Sequence, residues 1–159
     1  MATDQQLNLL SKAKRWYADG TFKVVRCPFH QLWSLHAFIK DDDKIKQIPL
    51  VYCLMSRRRK KDYKAILRAV LNLLPTTPAI KEFVTDFESS TWGAVATVLP
   101  EVKLQGCAFH WGQAVWRKTQ EIGLRRAYLN DDATHKYIKK LLALPLLPAE
   151  HIPPPSSKP

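Results

Sequence analysis

The stretch Trp16-Tyr17-Ala18-Asp19-Gly20-Thr21-Phe22 reads as a β-strand that runs into a carboxylate, and Phe83-Val84-Thr85-Asp86-Phe87-Glu88 repeats the pattern later in the chain. Aromatic and β-branched residues favour extended backbone, so each aspartate is expected at the end of a strand. A carboxylate placed there is held by rigid backbone. Two of them on adjacent strands can grip a divalent cation between them, an arrangement suited to phosphodiester chemistry.

Working outward from Asp19, Leu7, Leu10 and Ala13 mark a short helix or turn, and the first strand is predicted over residues 14–25 with Gly20 as a turn or bulge. Residues 31–39 predict a second, mostly buried strand, with Trp33, Leu35, Ala37 and Ile39 on one face and Leu32, Ser34, His36 and Phe38 on the other. Asp41-Asp42-Asp43 makes a polar turn into a third strand over 48–55, with Pro49 near its start. The period then changes. Tyr63, Ile66, Leu67, Val70, Leu71 and Leu74 define one apolar face of a helix that Pro75 and Pro78 stop.

Around Asp86, residues 80–86 form a fourth strand, 92–99 a short helix and 102–107 a fifth strand. A helix over 111–122 closes at Gly123, and Asp131 or Asp132 caps a last helix through Tyr137, Ile138, Leu141 and Leu142. Trp92, Trp111 and Trp116 are spaced as core-facing helix residues. The order βββαβαβαα describes a mixed α/β fold, a five-stranded mixed sheet with helices on its faces and a C-terminal helical extension. One domain over 5–150 is expected, with a disordered Pro-rich tail over 151–159.

The 25 Lys and Arg against 14 Asp and Glu, a net charge of +11, point to a polyanionic partner, with nucleic acid first. The longest apolar run, 141–149, holds two prolines and is too short to cross a membrane. The polar, acidic opening lacks the features of a secretory signal, and three scattered cysteines, Cys27, Cys53 and Cys107, argue for a reducing intracellular compartment.

Five phrases carry a more specific resemblance. Residues 16–23 and 31–37, Ile48-Pro49-Leu50-Val51-Tyr52, Thr85-Asp86-Phe87-Glu88 and Gly106-Cys107-Ala108-Phe109-His110, in this order, resemble the core of Mutator-like element (MULE) transposase domains. That resemblance implies a ribonuclease-H-like fold and a DDE-type core for strand cleavage and transfer. In such a core two aspartates and a later glutamate hold two Mg²⁺ or Mn²⁺ ions. Asp19 and Asp86 match the first two acids, and the fold makes their strands neighbours. Taken alone, each aspartate reads as the end of a strand or the cap of a turn, and the surrounding phrases reverse that reading for both. The family's glutamate lies farther downstream, beyond this sequence. Glu121 reads as a solvated helix residue; Glu88, two residues after Asp86, either faces the same side or, the preferred reading, is an N-cap or surface acid for the helix that follows it.

Cys107 and His110 match a Cys-x-x-His element of the family. They either support the site or a bound ion, or pack in the core and cap a helix. Cys27 and His30 repeat the spacing, but the separation of the two pairs argues against a structural zinc. His36 reads as a hydrogen-bonded core histidine. The run Arg57-Arg58-Arg59-Lys60-Lys61 either contacts DNA phosphates and directs nuclear import, or is a solvated loop. Arg125, Arg126, Lys139 and Lys140 read as helix-surface charges. Three functions compete: a partial transposase core acting on DNA, a catalytically silent DNA- or protein-binding module, and a truncated remnant. A homo-oligomer is compatible with each.

Overall fold

The structure, a computed structural model, describes residues 1–148, so the tail expected over 151–159 lies outside the described residues. The chain divides into two compact units, Met1–Gln105 and Gly106–Pro159. In the first, helix α1 (Asp4–Lys12) leads into β1 (Arg15–Thr21), β2 (Gln31–Asp41) and β3 (Lys44–Met55). Helix α2 (Lys60–Leu73), β4 (Glu82–Thr85), α3 (Ser89–Val98) and β5 (Lys103–Gly106) follow. The five strands form one mixed sheet in the order β3-β2-β1-β4-β5. The meander β1-β2-β3 is antiparallel, whereas β4 pairs with β1 in parallel after the α2 crossover.

Alternation decides which face is buried. Trp16 and Ala18 of β1, Trp33, Leu35 and Ala37 of β2, Val51 of β3 and Phe83 of β4 join one core. Leu7 and Leu10 of α1 and Tyr63, Leu67 and Val70 of α2 complete it, with Ala94 and Val95 from α3. Trp16 is fully buried and its indole N–H donates to the Leu10 carbonyl at 3.0 Å, which ties α1 to β1. Helix α1 starts with a capping box, in which Thr3 Oγ1 accepts from the Gln6 N–H and Gln6 Oε1 accepts from the Thr3 N–H.

Several boundaries differ from the sequence reading. The first strand ends at Thr21 rather than 25, and an exposed loop leads from it to Gln31. Gly20 lies within β1 opposite Trp33. A Cβ there would meet Gln31 Oε1 at 2.7 Å, so close approach rather than a turn explains the glycine. The third strand begins at Lys44, which places Pro49 inside it. A register shift between Leu35 and His36 falls beside Pro49, and β3 is an edge strand, so the missing N–H is accommodated.

In the second unit, α4 (Ala108–Glu121), α5 (Arg125–Asn130) and α6 (Asp132–Ala143) precede a 3-10 turn, Leu144–Leu146. Helix α4 ends at Gly123, whose φ of +76° suits a residue without Cβ. The Gly123 and Leu124 N–H groups reach back to the Gln120 and Thr119 carbonyls, a Schellman closure. Asp131 caps α6 by accepting from the Thr134 N–H at 2.8 Å. Trp111 donates to the Leu141 carbonyl at 2.7 Å, and Tyr128 packs between Trp116 and His135. Helix α5 was not foreseen, because its six residues bury none of their number and so carry no apolar stripe.

Trp16→Ala removes both a buried ring and the α1 tether. We expect a loss of about 3–5 kcal/mol in urea unfolding of the full chain.

Candidate functional site

Asp19 sits in β1 and Asp86 directly follows β4. In the parallel pair, Arg15 faces Glu82, Trp16 faces Phe83 and Tyr17 faces Val84. Arg15 and Glu82 are 67 residues apart in sequence, the same separation as the two aspartates. The paired register ends at Tyr17 and Val84, and each aspartate follows two residues later on its own chain segment, Asp19 within β1 and Asp86 just past the end of β4. Both are half-buried, and both take the alternate positions opposite to Trp16 and Phe83, which enter the core.

Local hydrogen bonds orient each acid. Asp86 Oδ1 accepts the Glu88 backbone N–H at 3.2 Å and the Thr85 hydroxyl at 3.4 Å, an Asx-type turn that swings the chain from β4 into α3. The Asp86 carbonyl accepts the Trp92 indole N–H at 2.6 Å. Trp92 is half-buried rather than a plain core residue, with its ring stacked near Phe87. Beside Asp19, β2 contributes Ser34 as its register partner and His36 two pairs further along. Ser34 Oγ shares a 2.8 Å hydrogen bond with His36 Nε2 and donates to the Asp19 carbonyl at 3.5 Å. Burial holds the His36 imidazole below its usual pKa, while the Asp19 carboxylate pulls the other way. His36 is thus hydrogen-bonded as expected, and it also neighbours Asp19 electrostatically.

A second set of groups joins the loops around the pair. The Tyr63 hydroxyl donates to Glu88 Oε2 at 3.2 Å and accepts from Gln31 Nε2 at 2.7 Å. Gln31 also reaches Met55 Sδ at 3.0 Å and fills the space beside Gly20, next to Asp19. Arg58 pairs with Glu88 Oε2 at 3.1 Å and lies 4.8 Å from the Phe22 ring centroid. Glu88 occupies the N-cap position of α3, but its side chain makes no cap bond. The sequence reading treated it as a cap or surface acid; its carboxylate is instead drawn inward by Arg58 and Tyr63.

The basic run is exposed throughout. Arg59 makes a forked pair with Asp62 at 3.0 and 3.1 Å, and Lys60 packs its stem over Gly93. Two of its arginines, Arg58 and Arg59, thus have acidic partners. Arg57 and Lys61 extend it beyond these internal contacts. Cys107 is the N-cap residue of α4 and His110 lies in its first turn, both half-buried in the second unit. Cys27 and His30 are exposed in the first unit, and all three cysteines are free thiols. Glu121 is exposed and pairs with Lys118, a solvated helix end as read from the sequence. Among the described residues no three His, Cys, Asp or Glu side chains gather as a ready metal site, and no described helix is long and apolar enough to cross a membrane.

The fold and site define a mixed α/β domain with a carboxylate on each of two adjacent parallel strands. The model of the MULE transposase domain family matches residues 15–114, a span holding both aspartates, the basic run and the Cys107–His110 pair. The chain belongs to the MULE transposase domain family. Among solved structures it is similar, at 13% identity and a TM-score of 0.35, to a chain of the simian T-cell lymphotropic virus intasome in complex with PP2A regulatory subunit B56 gamma. That match covers 94% of this chain and 60% of the other, so this chain spans three-fifths of that relative's length. No curated protein matches.

Tyr63 supplies a test of the network. Burial raises its phenol above the ordinary 10.0, so the native state keeps a proton that the unfolded chain gives up. Stability should therefore fall as pH rises from the ordinary value toward the raised one. Tyr63→Phe should flatten that alkaline decline in pH-dependent thermal unfolding. At neutral pH it should cost about 1–2 kcal/mol, because Gln31 and Glu88 lose a shared partner.

Proposed function

We propose that the first unit is the acidic half of a DDE-type transposase core on a ribonuclease-H-like sheet, with Asp19 and Asp86 as ligands for Mg²⁺ or Mn²⁺. The observation that carries this reading is the β1–β4 register, whose last pair stands two residues before each of the two carboxylates. Two carboxylates one strand apart suit a hard, oxygen-seeking cation. A bound cation supplies Lewis-acid polarisation of a phosphodiester oxygen. The chain's own residues do the positioning: the Glu88 N–H and Thr85 hydroxyl aim Asp86, and β2 braces Asp19 through Ser34.

DNA is the substrate in this reading. The net charge of +11 favours it, and Arg57, Arg58, Arg59, Lys60 and Lys61 form its nearest basic strip. The same strip serves as a nuclear import signal. Asp19 and Asp86 supply two of the three acids of the family's set, and two carboxylates alone hold a cation weakly. The second reading, a catalytically silent DNA- or protein-binding module, rests on the exposed basic run, which needs no cation to meet an anionic partner.

Manganese binding, followed by electron paramagnetic resonance on the purified chain beside Asp19→Ala and Asp86→Ala, separates the two. The transposase reading expects weak binding in the parent that falls at least tenfold in both variants. Salt-sensitive DNA binding with no aspartate-dependent manganese affinity would establish the silent module instead. Plasmid nicking in Mn²⁺ should be absent from all three proteins; nicking lost only in the variants would place a third ligand within this chain.

A further inference from the structure

The opposite end of the β1–β4 pair carries a cavity of about 540 Å³ with a different chemistry. Lys12, the last residue of α1, stands on its wall with Lys14 and Lys81, and Tyr17 and Phe38 supply apolar surface. The two rings meet edge to face at 5.1 Å, and Phe38 remains 49% exposed. Backbone bonds build this corner: the Lys81 and Glu82 N–H groups both donate to the Lys14 carbonyl, at 2.7 and 3.1 Å. The Ala79 N–H donates to the Ser11 carbonyl at 2.8 Å, and the Lys103 N–H to the Lys81 carbonyl at 2.9 Å.

Arg15 is the one cation of the lining that has a carboxylate partner among the described residues, the ion pair with Glu82. Lys12, Lys14 and Lys81 thus line one cavity with no ion-pair partner among the described residues, and like charges so gathered favour an anion. Lysine ammonium groups bind phosphate as point charges. A purely phosphate-reading surface has no use for an exposed aromatic ring, whereas an unpaired base has a face to stack on one. The volume falls within the range of small-ligand pockets.

We infer that this cavity is a nucleotide site, in which the base stacks on Phe38 and the phosphate sits among Lys12, Lys14 and Lys81. The ligand is a phosphorylated nucleoside, either free or as one unit of a single-stranded nucleic acid. Arg15, Tyr17 and Asp19 are alternate residues of β1, so a strand seated here lies on the same face of β1 as Asp19, about 13 Å along it. The site is separate from the acid pair and needs no divalent cation.

Fluorescence anisotropy with labelled oligo(dT), in EDTA and beside a duplex of the same length, tests it. Lys14→Glu combined with Lys81→Glu should weaken oligo(dT) binding at least tenfold. Phe38→Ala, an exposed and structurally mild change, should weaken it roughly tenfold while duplex binding moves less than twofold. Competition by dTMP would assign a free nucleotide, and competition by unlabelled oligo(dT) alone a strand unit; both support the site. Oligo(dT) binding unchanged within twofold in these variants, shown folded by circular dichroism, would overturn it. Equal losses on oligo(dT) and duplex in Phe38→Ala would do so too. Because the assay excludes divalent cations, its failure is distinguishable from failure of the metal reading.

Discussion

The site depends on one constraint, the parallel register between β1 and β4. A side chain's face alternates with every residue along a strand, so slipping this pairing by one residue would turn Asp86 to the face that buries Trp16 and Phe83. Burial of those two large rings enforces the register. The geometry of a polar site is thus set by apolar residues that never touch it. That coupling makes the core and the candidate chemistry inseparable: a substitution that lets β4 slide costs both.

The register alone leaves the strand ends and their loops free to splay, and the Gln31, Tyr63, Glu88 and Arg58 chain restrains them. It starts on β2, crosses α2 and ends at the N-cap of α3, so three elements that share no local sequence are tied beside the acids. Arg58 keeps 46% of its side chain exposed, and an ion pair so open contributes about 1 kcal/mol at most. The inner links matter more. The Gln31 and Tyr63 side chains are almost wholly buried, where a lost partner costs the full desolvation of the group left behind. The chain therefore orients more than it stabilises at its outer end, and stabilises more than it orients at its inner one.

The strands, and with them the positions of the two aspartates along the chain, were legible because burial on one face leaves an alternating trace, as in Trp33, Leu35 and Ala37 against Leu32, His36 and Phe38. The helix face of α2 was legible for the same reason at a different period. The start of β3 was not, since Lys44, Ile45, Lys46 and Gln47 are exposed on an edge strand and carry no apolar alternation. Gly20 and Gln31 explain one another only across strands, and Glu88 depends on partners from the α2 region, so no local pattern reveals them. Tyr63 offered one clue: a tyrosine on an otherwise aliphatic helix face has a hydroxyl that needs a partner. The Arg58–Glu88 pair was not legible, because its acid lies 30 residues away in sequence.

Charge is distributed along β1 with a polarity that composition cannot convey. Carboxylates gather at its C-terminal end and ammonium groups at its N-terminal end, on residues about 13 Å apart along the strand. At physiological salt the Debye length is about 8 Å, so where solvent reaches them the two clusters are largely screened from one another. The lysines therefore do little to neutralise the aspartates, and the aspartates do little to satisfy the lysines. Each cluster must find its counter-charge locally or from a ligand. Arg15 finds Glu82, and Arg58 finds Glu88, but Lys12, Lys14 and Lys81 find no acid among the described residues. The charge of a chain with +11 overall is for this reason better described as unevenly placed along one strand than as a uniformly basic surface.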